Sequence, residues 1–244
     1  MSNKVILKIV LSSVVIPLMI MVMLVGTVGI ISIGRENAGF TFLSMVYDKA
    51  MLFLVILPVF LLFFLKVFRV IGSPLILIRH YDSLRLFFTY LRTIVFSSVV
   101  FVILKTAIEI IPVIISGDID VKSAVMNDYI LCILTELLTV ISVFAFWIVT
   151  YHITGKTVVS TILIYILIAI DLMTYTLPLF GNYVIDLGIY MRPMGLVNQM
   201  IFSLTYGTEY PVITKEIAFG MIKISVLFTT LFACTVFRRR EVLS

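Results

Sequence analysis

Charge is what this sequence has least of. Only 13% of its 244 residues are Asp, Glu, Lys or Arg, against 62% hydrophobic, where a soluble domain carries about 25% charged and about 45–50% apolar residues. A chain of this length leaves a large share of its surface outside any core it can build. That much apolar surface cannot be hidden from water, so the medium implied is lipid. No polar stretch is long enough to form a separate soluble domain, and residues 1–244 read as a single membrane domain. Cysteine is scarce too. Cys132 and Cys234 each sit in an apolar run without a CxxC or Cys/His cluster, which argues against a zinc site or a disulfide framework and for two buried thiols. The two histidines, His80 and His152, are far apart and suggest no metal pair. HExxH, GxSxG and serine–lysine constellations are absent, so the chain reads as a non-enzyme. Gly155-Lys156-Thr157 looks like the end of a phosphate loop, but Thr150 stands where that motif needs a glycine. No cofactor is expected in this chain.

What the sequence has is apolar length. A helix needs about 20 apolar residues to cross the hydrocarbon core, and six stretches qualify: Val10 to Ile33, Ala50 to Ile71, Thr93 to Ser116, Tyr129 to Tyr151, Thr157 to Phe180 and Glu216 to Phe237. The first run, from Val5 to Ile33, is too long for the apolar region of a signal peptide, which is about 7–15 residues, and no A-x-A cleavage pattern follows it. Pro17, Gly26 and Gly29 within it suit a bend or a close helix approach. The expected fold is therefore all-α, a polytopic membrane protein with six transmembrane helices.

Orientation follows from the basic residues. With the N-terminus inside, eleven of the 18 Lys and Arg fall on the cytoplasmic side, ending in Arg238, Arg239 and Arg240; five fall outside, and Lys105 and Lys223 lie within spans. This bias places both termini in the cytoplasm of a multi-pass plasma-membrane protein. It also accounts for the net charge of +5 without a nucleic-acid partner.

Two connections carry information. Residues 72–92 read GSPLILIRHYDSLRLFFTYLR. Ser73-Pro74 is a helix-start signal, and Asp82 or Ser83 can cap a second helix. In that helix Leu84, Phe87, Phe88 and Leu91 share one face, with Arg85, Thr89 and Arg92 opposite. This predicts a basic amphipathic cytoplasmic connection, either an anchor in the headgroup region or a docking element presenting Leu75 to Tyr81. Between spans five and six, the Gly- and Pro-broken runs Tyr183 to Met191 and Met194 to Leu204 are too short to cross and too apolar to float in water. They predict a re-entrant outer hairpin or a packed outer loop.

Five ionisable residues fall inside the spans: Lys105, Glu109, Glu136, Asp171 and Lys223. Each costs at least a few kcal/mol at mid-bilayer and so marks a functional interior by default. Lys105 and Glu109 are one turn apart and can pair. The five read as a polar cluster in the outer half, either as interhelical glue or as a site handling substrate or protons.

With six spans, the basic connection after span two and the broken outer hairpin in place, the chain resembles the ABC-2 type transporter permeases. It is most similar to the small permease subunits of bacterial systems for peptide or bacteriocin export and self-immunity. The segment LILIRHYDSLRLFFTYL, Leu75 to Leu91, carries the local likeness. The resemblance spans the whole chain in architecture but contains no strict motif. It implies a coupling helix at Ser73, Pro74, Arg79, His80, Tyr81, Asp82 and Arg85 that docks on a separate ATPase subunit holding ATP and Mg. It also implies a second permease copy, or a homologous one, facing this chain, and alternating access to a peptide or other amphipathic cargo. The five intramembrane charges exceed what such a conduit needs. They keep open an ion-coupled secondary transporter that uses Glu109, Glu136 and Asp171 as proton or cation sites.

Overall fold

A computed structural model describes residues 3–32, 57–71, 83–116, 123–176 and 213–243. All of these are helical except the turn at 155–156, and no strand occurs among them. The helices are α1 (Asn3–Ser32), α2 (Leu57–Ile71), α3 (Ser83–Ser116), α4 (Ser123–Thr154), α5 (Thr157–Thr176) and α6 (Ile213–Leu243). Each of the six apolar stretches in the sequence overlaps one of them, with residues 33, 50–56 and 177–180 outside the described residues. Among the described residues two helical segments are long and apolar enough to cross a membrane, Ser83–Ile108 and Glu136–Thr154; Thr157–Leu167 and Gly220–Val236 are shorter apolar helices. The outer hairpin at 183–204 and the coupling segment from Ser73 to Asp82 lie outside the described residues.

α4 is the centre of the bundle, packing on α3, α5 and, most extensively, α6, while α1 packs on α2 and α3. Ring contacts and one ion pair fix the directions. Lys105 meets Glu136 and Tyr90 meets His152, 15 residues apart on α3 and 16 on α4, so these helices run antiparallel in a nearly constant register. Phe60 lies against Phe101 and Phe68 against Tyr90, which makes α2 antiparallel to α3 and hence parallel to α4. Gly220 abuts Leu138, and Phe232 meets Phe87, so α6 also runs with α4.

The sequence of α2 explains how it joins the core. Phe60, Phe64 and Phe68 recur every four residues and form one ridge. Phe144, Trp147 and Tyr151 form the facing ridge on α4. The rings interleave: Phe60 on Phe144 at 4.4 Å, Phe64 on Phe144 at 3.9 Å, Phe68 on Trp147 at 4.5 Å and on Tyr151 at 4.9 Å between centroids. Such pairs contribute roughly 0.5–1.5 kcal/mol each beyond area burial. That matters in lipid, where apolar burial itself supplies little drive for helix association.

The α4–α5 hairpin turns in two residues. Gly155 takes φ +67°, a left-handed conformation that closes a helix C-terminus, and its N–H donates to the Tyr151 carbonyl at 2.8 Å. The Thr154 hydroxyl donates to the Thr150 carbonyl at 2.8 Å and lies 3.2 Å from Ser160 Oγ. Ser160 in turn donates to the Lys156 carbonyl at 3.0 Å. The phosphate-loop-like tripeptide is thus a helix-to-helix turn.

Candidate functional site

The most polar place in the described interior lies between α3 and α4. Lys105 Nζ stands 2.9 Å from Glu136 Oε1, with the two side chains 0% and 1% exposed. Helix geometry sets its depth. Lys105 is 13 residues beyond Arg92, or about 20 Å along the axis, and Glu136 opens the apolar stretch Glu136–Thr154. The pair therefore sits towards one end of both long apolar segments. Two opposite charges in a dry interior hold each other strongly, because each would otherwise face the full desolvation penalty alone.

Spacing along α3 offers Lys105 a neighbour in Glu109, whose side chain lies outside the described residues. Glu136 is a partner from the next helix that this spacing does not offer. The sequence placed both carboxylates within reach but could not supply the interhelical register. α3 and α5 carry Glu109 and Asp171, whose side chains lie outside the described residues. Lys223 is half-buried on α6, close to one turn beyond Gly220. The register set by Gly220 against Leu138 puts it near the level of Ile141, roughly one turn deeper than Glu136.

Hydroxyls continue the polar line away from the pair. Thr89, Thr93 and Ser142 are buried and donate to carbonyls one turn back, at 2.8, 2.7 and 2.8 Å. Ser97 and Ser98 are buried to 0% exposure, and their hydroxyls have no hydrogen-bond partner among the described residues. Ser98 is seven residues below Lys105, which the register places opposite Val143 and beside Ser142. Sequence reasoning passed over these serines. Their signal was the run of small polar residues on α3, Thr89, Thr93, Ser97 and Ser98.

The second candidate region is the start of α3. The expected amphipathic helix is not a separate element: Ser83–Ser116 is one unbroken helix, so Arg85 stands on its first turn. The expected facing also needs correction. Thr89 is buried with Tyr90, while Leu84 and Phe88 are exposed beside Arg85 and Arg92. Thr89 tolerates burial because its hydroxyl is satisfied by the Arg85 carbonyl. Of the docking candidates, Arg85 is described and exposed; Ser73, Pro74, Arg79, His80, Tyr81 and Asp82 lie outside the described residues.

Cys234 is a half-buried free thiol. His152 packs edge-on to Tyr90 at 5.3 Å, part of the aromatic core. Compared with protein-family models, curated proteins and solved structures, the chain matches none.

Proposed function

We propose that this chain crosses a bacterial plasma membrane six times, with both termini cytoplasmic, and serves as the permease subunit of an ATP-driven exporter for a peptide or other amphipathic cargo. The observation that carries the reading is the unbroken length of α3. Arg85, exposed on the first turn, and Lys105, paired in the interior, are 20 residues apart on one helix, or about 30 Å. A rigid rod of that length turns a push at its cytoplasmic end into a tilt at the far end, where α3 is tied to α4 through Glu136. In this mechanism the ATP chemistry belongs to a partner ATPase that docks at Ser73–Asp82 and Arg85. Its closure shifts a two-state equilibrium between inward- and outward-facing forms, and a second permease chain completes the pathway. Apolar side chains from α2, α3 and α4 suit a greasy cargo.

Co-purification tests this. A nucleotide-binding subunit should come down with the wild-type chain, and charge reversal at Arg79 or Arg85 should release it. Retention of the subunit by both variants, or its absence from wild type, counts against the reading.

The buried Lys105–Glu136 pair favours a second reading, an ion-coupled transporter in which Glu136 exchanges its cationic partner for a proton or cation. Transport in vesicles that persists without ATP and collapses with the proton gradient would select it.

A further inference from the structure

Exposed charge and exposed grease meet at one level on three elements. On α2 the outward side chains pass from Leu62 to Lys66 and Arg69; on α3, from Ile103 and Phe96 to Arg92; on α5, from Ile166, Ile162 and Val158 to Lys156 in the turn. The contacts already described bring these cations to a common depth. Phe68 faces Tyr90 at 6.2 Å, so Lys66 stands level with Arg92 and Arg69 with the turn of Tyr90. His152 packs on Tyr90, and Lys156 follows four residues later, about 6 Å further out. All four backbone positions fall in a slab about 10 Å thick, shallow enough for long basic side chains to reach the polar interface on one side of a bilayer.

Among the described residues no carboxylate is shown paired with any of them. The stretches 60–69, 84–96 and 147–164 contain no Asp or Glu. Arg92 is flanked at i−4 and i+4 by Phe88 and Phe96, 49% and 40% exposed, which hold its stem along apolar surface while the guanidinium reaches outward. Exposed cations beside an apolar rim, with no acidic neighbour in these stretches, suit anions supplied by the surroundings.

We infer that Lys66, Arg69, Arg92 and Lys156 form a belt that binds the phosphate headgroups of anionic phospholipids. This rests on the membrane reading above but not on the ATPase partner. Arginine grips phosphate through its planar fork and lysine as a point charge. Basic rims at the cytoplasmic end of spans select anionic over zwitterionic lipid by roughly fivefold for each cation near the surface, the equivalent of the usual electrostatic contribution per residue.

The test uses the full chain, purified alone in mild detergent and offered equal phosphatidylglycerol and phosphatidylcholine. Lipids retained on the protein are counted by native mass spectrometry. Wild type should be enriched in phosphatidylglycerol. Lys66→Gln with Arg92→Gln should lower the enrichment about fivefold or more, Lys66→Arg should retain it, and excess inorganic phosphate should leave it intact. Equal retention of the two lipids, or enrichment unchanged in the double variant, overturns the belt. Displacement by inorganic phosphate overturns it in favour of a free-anion site. A chain that stays soluble without detergent sinks the membrane reading itself, which separates that failure from a failure of the belt.

Discussion

At the scale of single residues, Lys105 and Glu136 hold the largest consequence. With the two charges at 2.9 Å and out of contact with the surroundings, removing either takes a close counter-charge from the other in a dry site, at a cost of up to about 3–5 kcal/mol. Lys105→Met and Glu136→Gln should each lower the thermal unfolding temperature in detergent. The double variant should lose less than the sum, since both single variants remove the same contact; additive losses would mean that the pair is not coupled. Under the ion-coupled reading, Glu136→Gln should instead abolish transport while expression holds. Ser98 supplies a quieter test. Its buried hydroxyl has no described partner, so Ser98→Ala should be neutral or stabilise by up to about 1 kcal/mol. A loss of transport without loss of stability would assign the polar line beneath Lys105 to the cargo path. Gly220 is a packing residue: a Cβ there would lie 3.1 Å from Leu138 Cδ1 and 3.3 Å from Leu138 Cβ. Gly220→Ala should therefore cost about 1–2 kcal/mol, and Leu138→Ala in the same chain should relieve part of that cost.

At the scale of elements, the α4–α5 hairpin depends on Gly155. Space is not the constraint, since a Cβ there meets nothing within 4 Å; φ of +67° is. Gly155→Ala should destabilise the hairpin by about 1 kcal/mol, and Gly155→Asn by less, because Asn tolerates left-handed backbone. Thermal unfolding of the two variants checks the order. The elements themselves were legible in the sequence, because twenty-residue apolar runs have few other uses. Their facing was not. In water, the alternation of apolar and polar residues marks the buried side of a helix; against lipid both sides are apolar, and the mark fades. Thr89 was assigned outward with Arg85 on polarity alone, yet the structure buries it and exposes Phe88. The approach of Glu136 to Lys105 is hidden for a related reason: spacing along one helix is local, and this contact is set by how α3 and α4 dock. The aromatic ridges at Phe60, Phe64 and Phe68 and at Phe144, Trp147 and Tyr151 were visible as spacing, but neither ridge alone identifies the other.

At the scale of the whole molecule, an even number of crossings requires both termini on one face. Tags at the two ends should be equally protected or equally accessible in sealed vesicles, and opposite accessibility ends the six-span reading. α4 is surrounded by α3, α5 and α6, so motion of α3 relative to α4 must repack its aromatic face. One member of that face is the only tryptophan in the chain. Trp147 is fully buried, lies 5.6 Å from Tyr151 in a near-parallel stack, and donates its indole N–H to Thr161 Oγ1 at 3.1 Å. The protein therefore contains its own optical probe at the crossing of α2, α4 and α5: opening of the bundle would wet the indole and red-shift its emission, with no dye attached.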